Sequence, residues 1–311
     1  MFGDVFYFFL SMSIISAITG SVVLLIRKIN RIPRRIVLWL WIVPFIRMCL
    51  PVGVGGKYSL MSLLSKYAIK TVVVDVPMNK VDVPGDYFQY SIMNTIGVAD
   101  SYNPITYKIN ILEDVFNVAS MVWLVIAMAL IIAFIWIYTI TLKELSGAKR
   151  MKGNIYISDK IETPAVYGVL RPKIIIPTEY RNKDLTYVMM HENVHIKRKD
   201  NLWRVVAFAV TSFHWFNPLA WIFLKCFLED LELSCDERVL AKCNQEQKKL
   251  YALTLLEGVE SKSIFASALG GAGIRVRIEN ILSYKRMSMT ALIGFAIFVV
   301  AVMYVLLTNA V

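Results

Sequence analysis

The sequence predicts an α-helical, multi-pass membrane protein with an α+β domain inserted between its third and fourth transmembrane helices. Of the 311 residues, 57% are hydrophobic. They collect in blocks long enough to cross a bilayer core about 30 Å thick, which takes ~20 helical residues. Basic residues flank these blocks, and a long stretch of mixed composition separates the last two. These observations favour membrane helices around one larger domain.

Four segments are long and apolar enough to be transmembrane helices: 5–26, 36–54, 115–142 and 287–307. The first segment is preceded by Asp4 and followed by basic residues, namely Arg27, Lys28, Arg31, Arg34 and Arg35. A cleaved signal peptide has its basic residues before the apolar run, so we expect this segment to remain as a helix.

The basic residues also predict the orientation, because positive charge beside a span stays on the cytoplasmic side. The N-terminus is then outside. The predicted division is 1–54 for two helices and a short cytoplasmic loop, 55–114 for an extracellular loop, 115–142 for the third helix, 143–286 for a cytoplasmic domain and 287–311 for the fourth helix and C-terminus. The net charge of +11 follows this topology and does not indicate nucleic-acid binding. The four cysteines include no CxxC pair, so we expect free thiols.

The strongest chemical signal is the run HENVH, from His191 to His195. Residues four apart on a helix face the same way, so both histidines can bind one zinc ion at about 2.0–2.1 Å. Glu192 lies beside the metal, where it can take a proton from a water that zinc activates. Only three histidines occur in the chain, so a chance arrangement on an ordinary amphipathic helix is the weaker explanation.

Catalytic zinc needs a third protein ligand, and the segment FLEDLELSCDERVL supplies candidates. On a helix, Glu229, Glu232 and Asp236 share one stripe, where like charges repel unless a cation compensates them. We expect Glu232 to bind the metal and Asp236 to orient a histidine N–H. The alternative is a solvated acidic face paired with Lys225 or Arg238. Two other acidic residues point off the stripe and are weaker candidates, Asp230 and Glu237.

The segment 201–228 is apolar enough to suggest a fifth span. A single span would separate His195 from Glu232 by ~30 Å. We therefore expect a helical hairpin that turns back near 214–218 and dips into the membrane interface. Arg204 also fits poorly in a lipid-facing span. The metal site is then close to the inner membrane surface. His214 is expected at the turn or the interface, not on the metal.

Short β-rich runs at 155–158, 165–170 and 173–177 are separated by proline and glycine. They predict a small sheet before a helix that begins near residue 182. An exposed edge strand there could pair with an extended substrate backbone, or the sheet could be a scaffold only.

The stretches ETPAVYGVLRPKIIIP, HENVHIKRKD and LELSCDERVL, set behind three spans and ahead of a fourth, resemble bacterial membrane metallopeptidases of the BlaR/MecR antirepressor type. The resemblance covers nearly the whole chain. It implies a gluzincin-like zinc metallopeptidase domain with Zn²⁺ bound by His191, His195 and Glu232, Glu192 as catalytic base and Asp236 in support. It also implies signal transduction, in which an external signal triggers self-cleavage and inactivation of a DNA-binding repressor.

One departure limits the resemblance. The antibiotic sensors of that family carry an external penicillin-binding domain after the last span, whereas this sequence continues for only four residues, 308–311. Sensing of β-lactams by an acylated serine is therefore not predicted, and the loop 55–114 or a partner protein would receive the signal. The stretch 261–273 is either a self-cleavage site or a passive linker.

The expected function is zinc-dependent endopeptidase activity in regulated proteolysis at the cytoplasmic membrane face. Two alternatives stay open: a housekeeping membrane peptidase of the HtpX or CAAX-processing type, and a non-catalytic transducer in which zinc only staples the domain. The expected partners are a protein substrate, such as a repressor, and the lipid bilayer, without direct nucleic-acid contact. A homodimer is left open.

Overall fold

The structure is a computed structural model that describes residues 2–29, 32–50, 90–91, 106–107, 111–257, 273–284 and 288–308. These residues are mostly helical, with a small mixed sheet. Most of the predicted extracellular loop and residues 261–272 of the predicted cleavage or linker stretch lie outside the described residues. Within the loop, two short strands are described and pair antiparallel, β1 (Tyr90–Ser91) and β2 (Thr106–Tyr107).

Two long helices dominate the apolar part of the chain, α1 (Phe2–Arg27) and α4 (Ile111–Glu144). Among the described residues, their stretches Val5–Arg27 and Val115–Gly147 are long and apolar enough to cross a membrane. A shorter apolar stretch, Ile293–Leu307, lies in α10 (Met289–Leu307). These helices coincide with the first, third and fourth predicted spans.

The second predicted span is divided into α2 (Arg34–Leu40) and α3 (Ile42–Cys49), with a break at Trp41. Pro44 gives the reason, because it has no N–H to donate to the carbonyl four residues earlier, that of Leu40. Two hydrogen bonds with other helices hold the chain near this break. Trp41 Nε1 donates to Asp230 Oδ2 at 2.8 Å, and Ser16 Oγ donates to the carbonyl of Pro44 at 3.0 Å.

The predicted small sheet is present and has the strand order β3-β4-β6-β5. Its strands are β3 (Lys149–Lys152), β4 (Ile155–Ser158), β5 (Ala165–Tyr167) and β6 (Lys173–Pro177). Strands β4 and β6 run parallel, and both edge strands pair antiparallel. β5 is shorter than predicted because Gly168, at φ +92°, turns the chain out of the sheet. β3 was not predicted, since its four side chains are all exposed and show no apolar alternation.

The centre of the molecule is built by α5 (Thr186–Arg198), α6 (Asp200–Phe213) and α7 (Pro218–Leu240). Helices α8 (Gln245–Glu257) and α9 (Ile274–Ser283) pack nearby. α5 begins later than predicted, at Thr186; just before it, Asp184 accepts a hydrogen bond from the backbone N–H of Thr186 at 2.9 Å.

Helices α6 and α7 form the predicted hairpin. His214 is fully buried at its turn, and His214 Nε2 lies 3.1 Å from the carbonyl oxygen of Met48. The structure therefore places His214 at the turn, as predicted, and away from the other two histidines.

The hairpin packs along α1. The Asn217 amide donates to Ser13 Oγ at 2.8 Å, and Asp230 pairs with Arg27 at 2.9 Å. The first half of α7 therefore runs beside α1 from the middle of that helix to its end. The position of the hairpin relative to the membrane interface stays a prediction.

Gly20 allows the close approach of α1 and α7. A Cβ atom at this position would overlap the ring of Phe223. We expect Gly20→Ala to lower the melting temperature of the purified protein, because overpacking a tight contact costs about 1–3 kcal/mol. Gly294→Ala in α10 is the matched control, since a Cβ there meets nothing within 4 Å. Equal melting temperatures for the two variants would contradict a tight contact between Gly20 and the ring of Phe223.

Candidate metal centre

The two histidines of HENVH lie on the inner face of α5, and both are buried. Their Nε2 atoms are 3.0 Å apart, and their rings are nearly perpendicular at 78°. Two tetrahedral ligands at about 2.0–2.1 Å from one metal ion lie about 3.3–3.4 Å apart. The pair is therefore close to the separation that a shared ion requires.

Glu232 of α7 faces both rings. Its Oε2 lies 3.5 Å from His191 Nε2, and its Oε1 lies 3.7 Å from His195 Nε2. The structure thus brings together the three side chains that the sequence suggested as ligands. Two imidazoles and a carboxylate are donors that suit a divalent transition metal, so the residues present fit an ion, and their role as ligands stays a prediction.

A cysteine joins this group, which sequence reasoning did not foresee. One ligand atom each from His191, His195 and Cys235 lie within 4.8 Å of one another. The Cys235 thiol is buried, and its Sγ lies 3.4 Å from the carbonyl oxygen of His191. Cys235 follows Glu232 by three residues, so helical spacing was the signal that could have found it. The centre has two chemically different candidates for its third protein ligand.

Each histidine has a further partner on its Nδ1 atom. His195 Nδ1 lies 2.6 Å from Asp200 Oδ2, and His191 Nδ1 lies 2.8 Å from the hydroxyl of Tyr251. Asp236 Oδ1 is 3.2 Å from the same His191 nitrogen. Such partners fix the orientation of a ring and leave its Nε2 for the metal. Asp236 lies within reach of the ring that we expect it to orient, as Tyr251 does, while Asp200 lies within reach of the other ring; the role of Asp236 stays a prediction.

The position of Asp200 depends on one backbone feature. Lys199 ends α5 in the left-handed region, at φ +57°, which reverses the chain so that Asp200 returns to His195. Arg198 then holds the carboxylate of Asp200 at 2.7 Å and 2.9 Å. Sequence reasoning missed Asp200; its signal was an acidic residue directly after the basic end of the HENVH helix.

Arginines balance the carboxylates of the centre. Arg204 forms an ion pair with Glu232, and Arg277 of α9 pairs with both oxygens of Asp236 at 2.7 Å and 2.8 Å. Burial raises the pKa of Asp236, but the pairing with Arg277 outweighs this effect and lowers that pKa to about 2. The alternative of a solvated acidic face paired with Lys225 or Arg238 is wrong for the described residues, because Asp236 is fully buried among other partners.

Glu192 is buried next to the two histidines. Burial raises the pKa of Glu192, and the charges of His191 and His195 oppose that rise. Burial and the nearby Glu192 also raise the pKa of Tyr167, which places the edge strand β5 beside this carboxyl group. A carboxyl group whose pKa is raised towards neutrality is suited to exchanging protons during a reaction.

The outer edge of β5 is already partly occupied. The side-chain amide of Asn201 donates to the carbonyl of Val166 at 2.9 Å and to that of Gly168 at 3.1 Å. These bonds fix β5 to the start of α6, next to Asp200. They support the scaffold reading of the sheet at these two carbonyls, and pairing of a substrate backbone with β5 stays a prediction.

The two weaker acidic candidates lie away from the histidines. Asp230 pairs with Arg27, while Glu237 accepts the backbone N–H groups of Arg34 and Arg35 at 2.8 Å and 3.2 Å. These two residues tie α7 to α1 and α2. They are structural contacts on the opposite side of the helix that carries Glu232.

This geometry agrees with the comparisons with known proteins. The sequence profile of the family described as BlaR1 peptidase M56 matches residues 7–289. The chain belongs to this family. M56 peptidases are metallopeptidases, which fits a centre of histidines and a carboxylate. The M56 match and the two long apolar helices point to a membrane protein.

Curated relatives of this M56 chain are regulatory proteins. It is 29% identical over 141 residues to the regulatory protein BlaR1 of Bacillus licheniformis, which is 42% of this chain and 24% of that protein. It is 28% identical over 144 residues to the methicillin resistance mecR1 protein of Staphylococcus aureus, covering 43% and 25% of the two chains. The regulatory protein BlaR1 of Staphylococcus aureus is 24% identical over 225 residues, covering 62% and 38%. The chain therefore spans about a quarter to two fifths of the length of these relatives.

The contact between Asp200 and His195 gives a test of the centre. We expect Asp200→Asn to weaken metal binding about 10–100-fold, because the carboxylate that orients the ring is lost. Competition with a chromophoric chelator on the full chain measures the affinity. Asp184→Asn is the control, because Asp184 is exposed and an asparagine there can still accept the hydrogen bond from the backbone N–H of Thr186. Unchanged affinity in Asp200→Asn would argue against this role of Asp200.

The choice between Glu232 and Cys235 gives a second test. We expect Glu232→Gln to lose most of the bound metal and Cys235→Ser to keep it, because the two carboxylate oxygens of Glu232 lie 3.5 Å and 3.7 Å from the two Nε2 atoms. Elemental analysis of the two purified variants gives the metal content per chain. The opposite result would make Cys235 the third ligand.

Proposed function

We propose that the chain is a membrane-embedded zinc endopeptidase that hydrolyses peptide bonds at the cytoplasmic face of the membrane. The observation that carries this proposal is the meeting of His191, His195 and Glu232 within 3.0–3.7 Å, with Glu192 buried beside them. Zinc is the metal that two histidines and one glutamate hold in hydrolytic sites with an open fourth position. The family adds support, because its members are metallopeptidases.

The roles of the residues follow from their positions. His191, His195 and Glu232 hold the ion, which when bound supplies Lewis-acid polarisation of the scissile carbonyl and acidifies water. Glu192 accepts a proton from the attacking water and later delivers it to the leaving amine. Asp200 and Tyr251 keep the two rings in the orientation that leaves each Nε2 free.

The proposed topology is four spans with the N-terminus outside and the peptidase domain in the cytoplasm. Alternation requires the second and fourth spans to run in the same direction. Arg47, near the end of α3, donates to the carbonyls of Leu306 and Thr308, at the end of α10, at 3.1 Å and 2.8 Å. The two helices therefore end side by side, which supports this arrangement.

We further propose that the peptidase works in signal-regulated proteolysis, acting on a DNA-binding repressor, on itself, or on both. The support is the set of relatives whose names are regulatory protein BlaR1 and methicillin resistance mecR1 protein. A part of each relative lies outside the match, so the signal that starts proteolysis need not be shared.

Glu192→Gln separates metal binding from chemistry. We expect the variant to keep its metal but to lose cleavage of itself and of a repressor encoded beside it by about 10²-fold or more, because the base is removed. Immunoblots of membranes that contain the full chain follow cleavage, and elemental analysis follows the metal. Glu179→Gln, at an exposed site, is the control.

Three outcomes decide between the readings. Undiminished cleavage in Glu192→Gln would refute the proposed mechanism. Normal signalling in Glu192→Gln, together with loss of folding in His191→Ala, would indicate that the metal only stabilises the fold and takes no part in catalysis. Constitutive cleavage of misfolded or lipidated substrates, with no effect on a repressor, would indicate a housekeeping peptidase of the HtpX or CAAX-processing type.

A further inference from the structure

A cleft of about 300 Å³ opens between α2, α7 and α10, and its lining includes none of the candidate metal ligands. Its walls include two arginines and several apolar side chains: Arg35, Ile36, Trp39, Arg238, Ala296 and Val300. The cations come from α2 and α7, while the apolar surface comes from α2 and α10. The cleft is therefore amphipathic.

The arginines of the cleft lie at the cytoplasmic end of the proposed spans. Arg35 follows Arg34, whose guanidinium donates to the carbonyl of Arg27, the last residue of α1, at 3.0 Å. Trp39 is one helical turn further along α2 and so lies deeper in the proposed bilayer. Val300 lies one turn deeper than Ala296 on α10. Charge at the membrane surface and apolar groups beneath it match the two halves of a phospholipid.

The two arginines lack a carboxylate partner of their own. Among the described residues, neither Arg35 nor Arg238 forms an ion pair, and Arg35 Nε is buried without a hydrogen-bond partner. The carboxylate of Glu237 contacts this segment, but its two oxygens accept the backbone N–H groups of Arg34 and Arg35. Burial is the main cause of a lowered pKa at Arg238; the charges of Arg198 and Arg35 lower this pKa further, while Asp200 and Cys235 oppose them.

The apolar wall is open to the surroundings. Trp39 is 58% exposed and Val300 is 67% exposed, although both are large hydrophobic residues. In a chain with the proposed topology, these side chains face lipid and not water. An acyl chain placed along them would cover surface that the described protein leaves uncovered.

We propose that this cleft binds one anionic phospholipid of the inner leaflet, with its phosphate between Arg35 and Arg238 and an acyl chain along Trp39, Ala296 and Val300. The proposal rests on the proposed membrane orientation but not on peptidase activity. Arg238 lies two residues beyond Asp236 on α7. The bound lipid would therefore join the helix of the metal centre to α2 and α10.

Native mass spectrometry of the full chain in detergent tests the proposal. We expect phosphatidylglycerol to bind on the order of tenfold more tightly than phosphatidylcholine, since each arginine at a membrane surface favours anionic lipid. The double variant Arg35→Gln/Arg238→Gln should lose this preference. Arg171→Gln/Arg181→Gln is the matched control, because it removes the same charge from two exposed positions outside the cleft.

A second variant tests the apolar half without changing charge. Ala296→Trp should fill the path of the acyl chain and lower phosphatidylglycerol binding while both arginines remain. Glycerol 3-phosphate and inorganic phosphate are the soluble probes, and we expect neither to displace the lipid. Metal content is measured in every variant and should not change, because neither arginine is a candidate metal ligand or forms an ion pair with one among the described residues.

The proposal is overturned if Arg35→Gln/Arg238→Gln keeps the preference for phosphatidylglycerol, or if Ala296→Trp binds the lipid as the unaltered protein does. It is also overturned if a soluble phosphate displaces the lipid, since the cleft would then be an anion site without an acyl-chain path. Loss of cleavage in the Glu192→Gln assay affects none of these measurements, so the two proposals fail separately.

Discussion

Holding Glu232 against the two imidazoles of α5 is the constraint that the rest of the fold satisfies. One turn of helix brings His191 and His195 together, and this arrangement depends only on neighbouring residues. Glu232 comes from α7, and it meets the rings only because the chain between them folds back as a hairpin. The long apolar segment 201–228 forms this hairpin.

Helix α7 connects two environments. One side of it carries Glu232, Cys235 and Asp236 to the metal centre, and the other side carries Asp230 and Glu237 to α1 and α2. One continuous helix therefore carries both the contacts with α1 and α2 and the candidate metal ligand Glu232. The ion pair of Asp230 and the backbone contacts of Glu237 are thus the physical connections between the apolar helices and the chemistry.

Local periodicity explains which features could be predicted from sequence. The HENVH spacing, the stripe that contains Glu232 and the proline-bounded strands all depend on neighbouring residues. Asp200 and Tyr251 could not be assigned in this way, because their contacts with the histidines depend on a left-handed residue at Lys199 and on the packing of α8. Arg277 approaches from α9, across residues that carry no motif.

The contacts of the hairpin formed by α6 and α7 limit how the chain can be shortened. Its tip is fixed by Trp123 of α4, whose indole N–H donates to the carbonyl of Phe213 at 2.7 Å, and its flank is fixed by Gly20 and Ser13 of α1. A recombinant fragment limited to 143–286 would leave Phe223 and its neighbours without their packing partners. The hairpin and the apolar helices share one hydrophobic core, so we expect a fragment without those helices to expose that core to water.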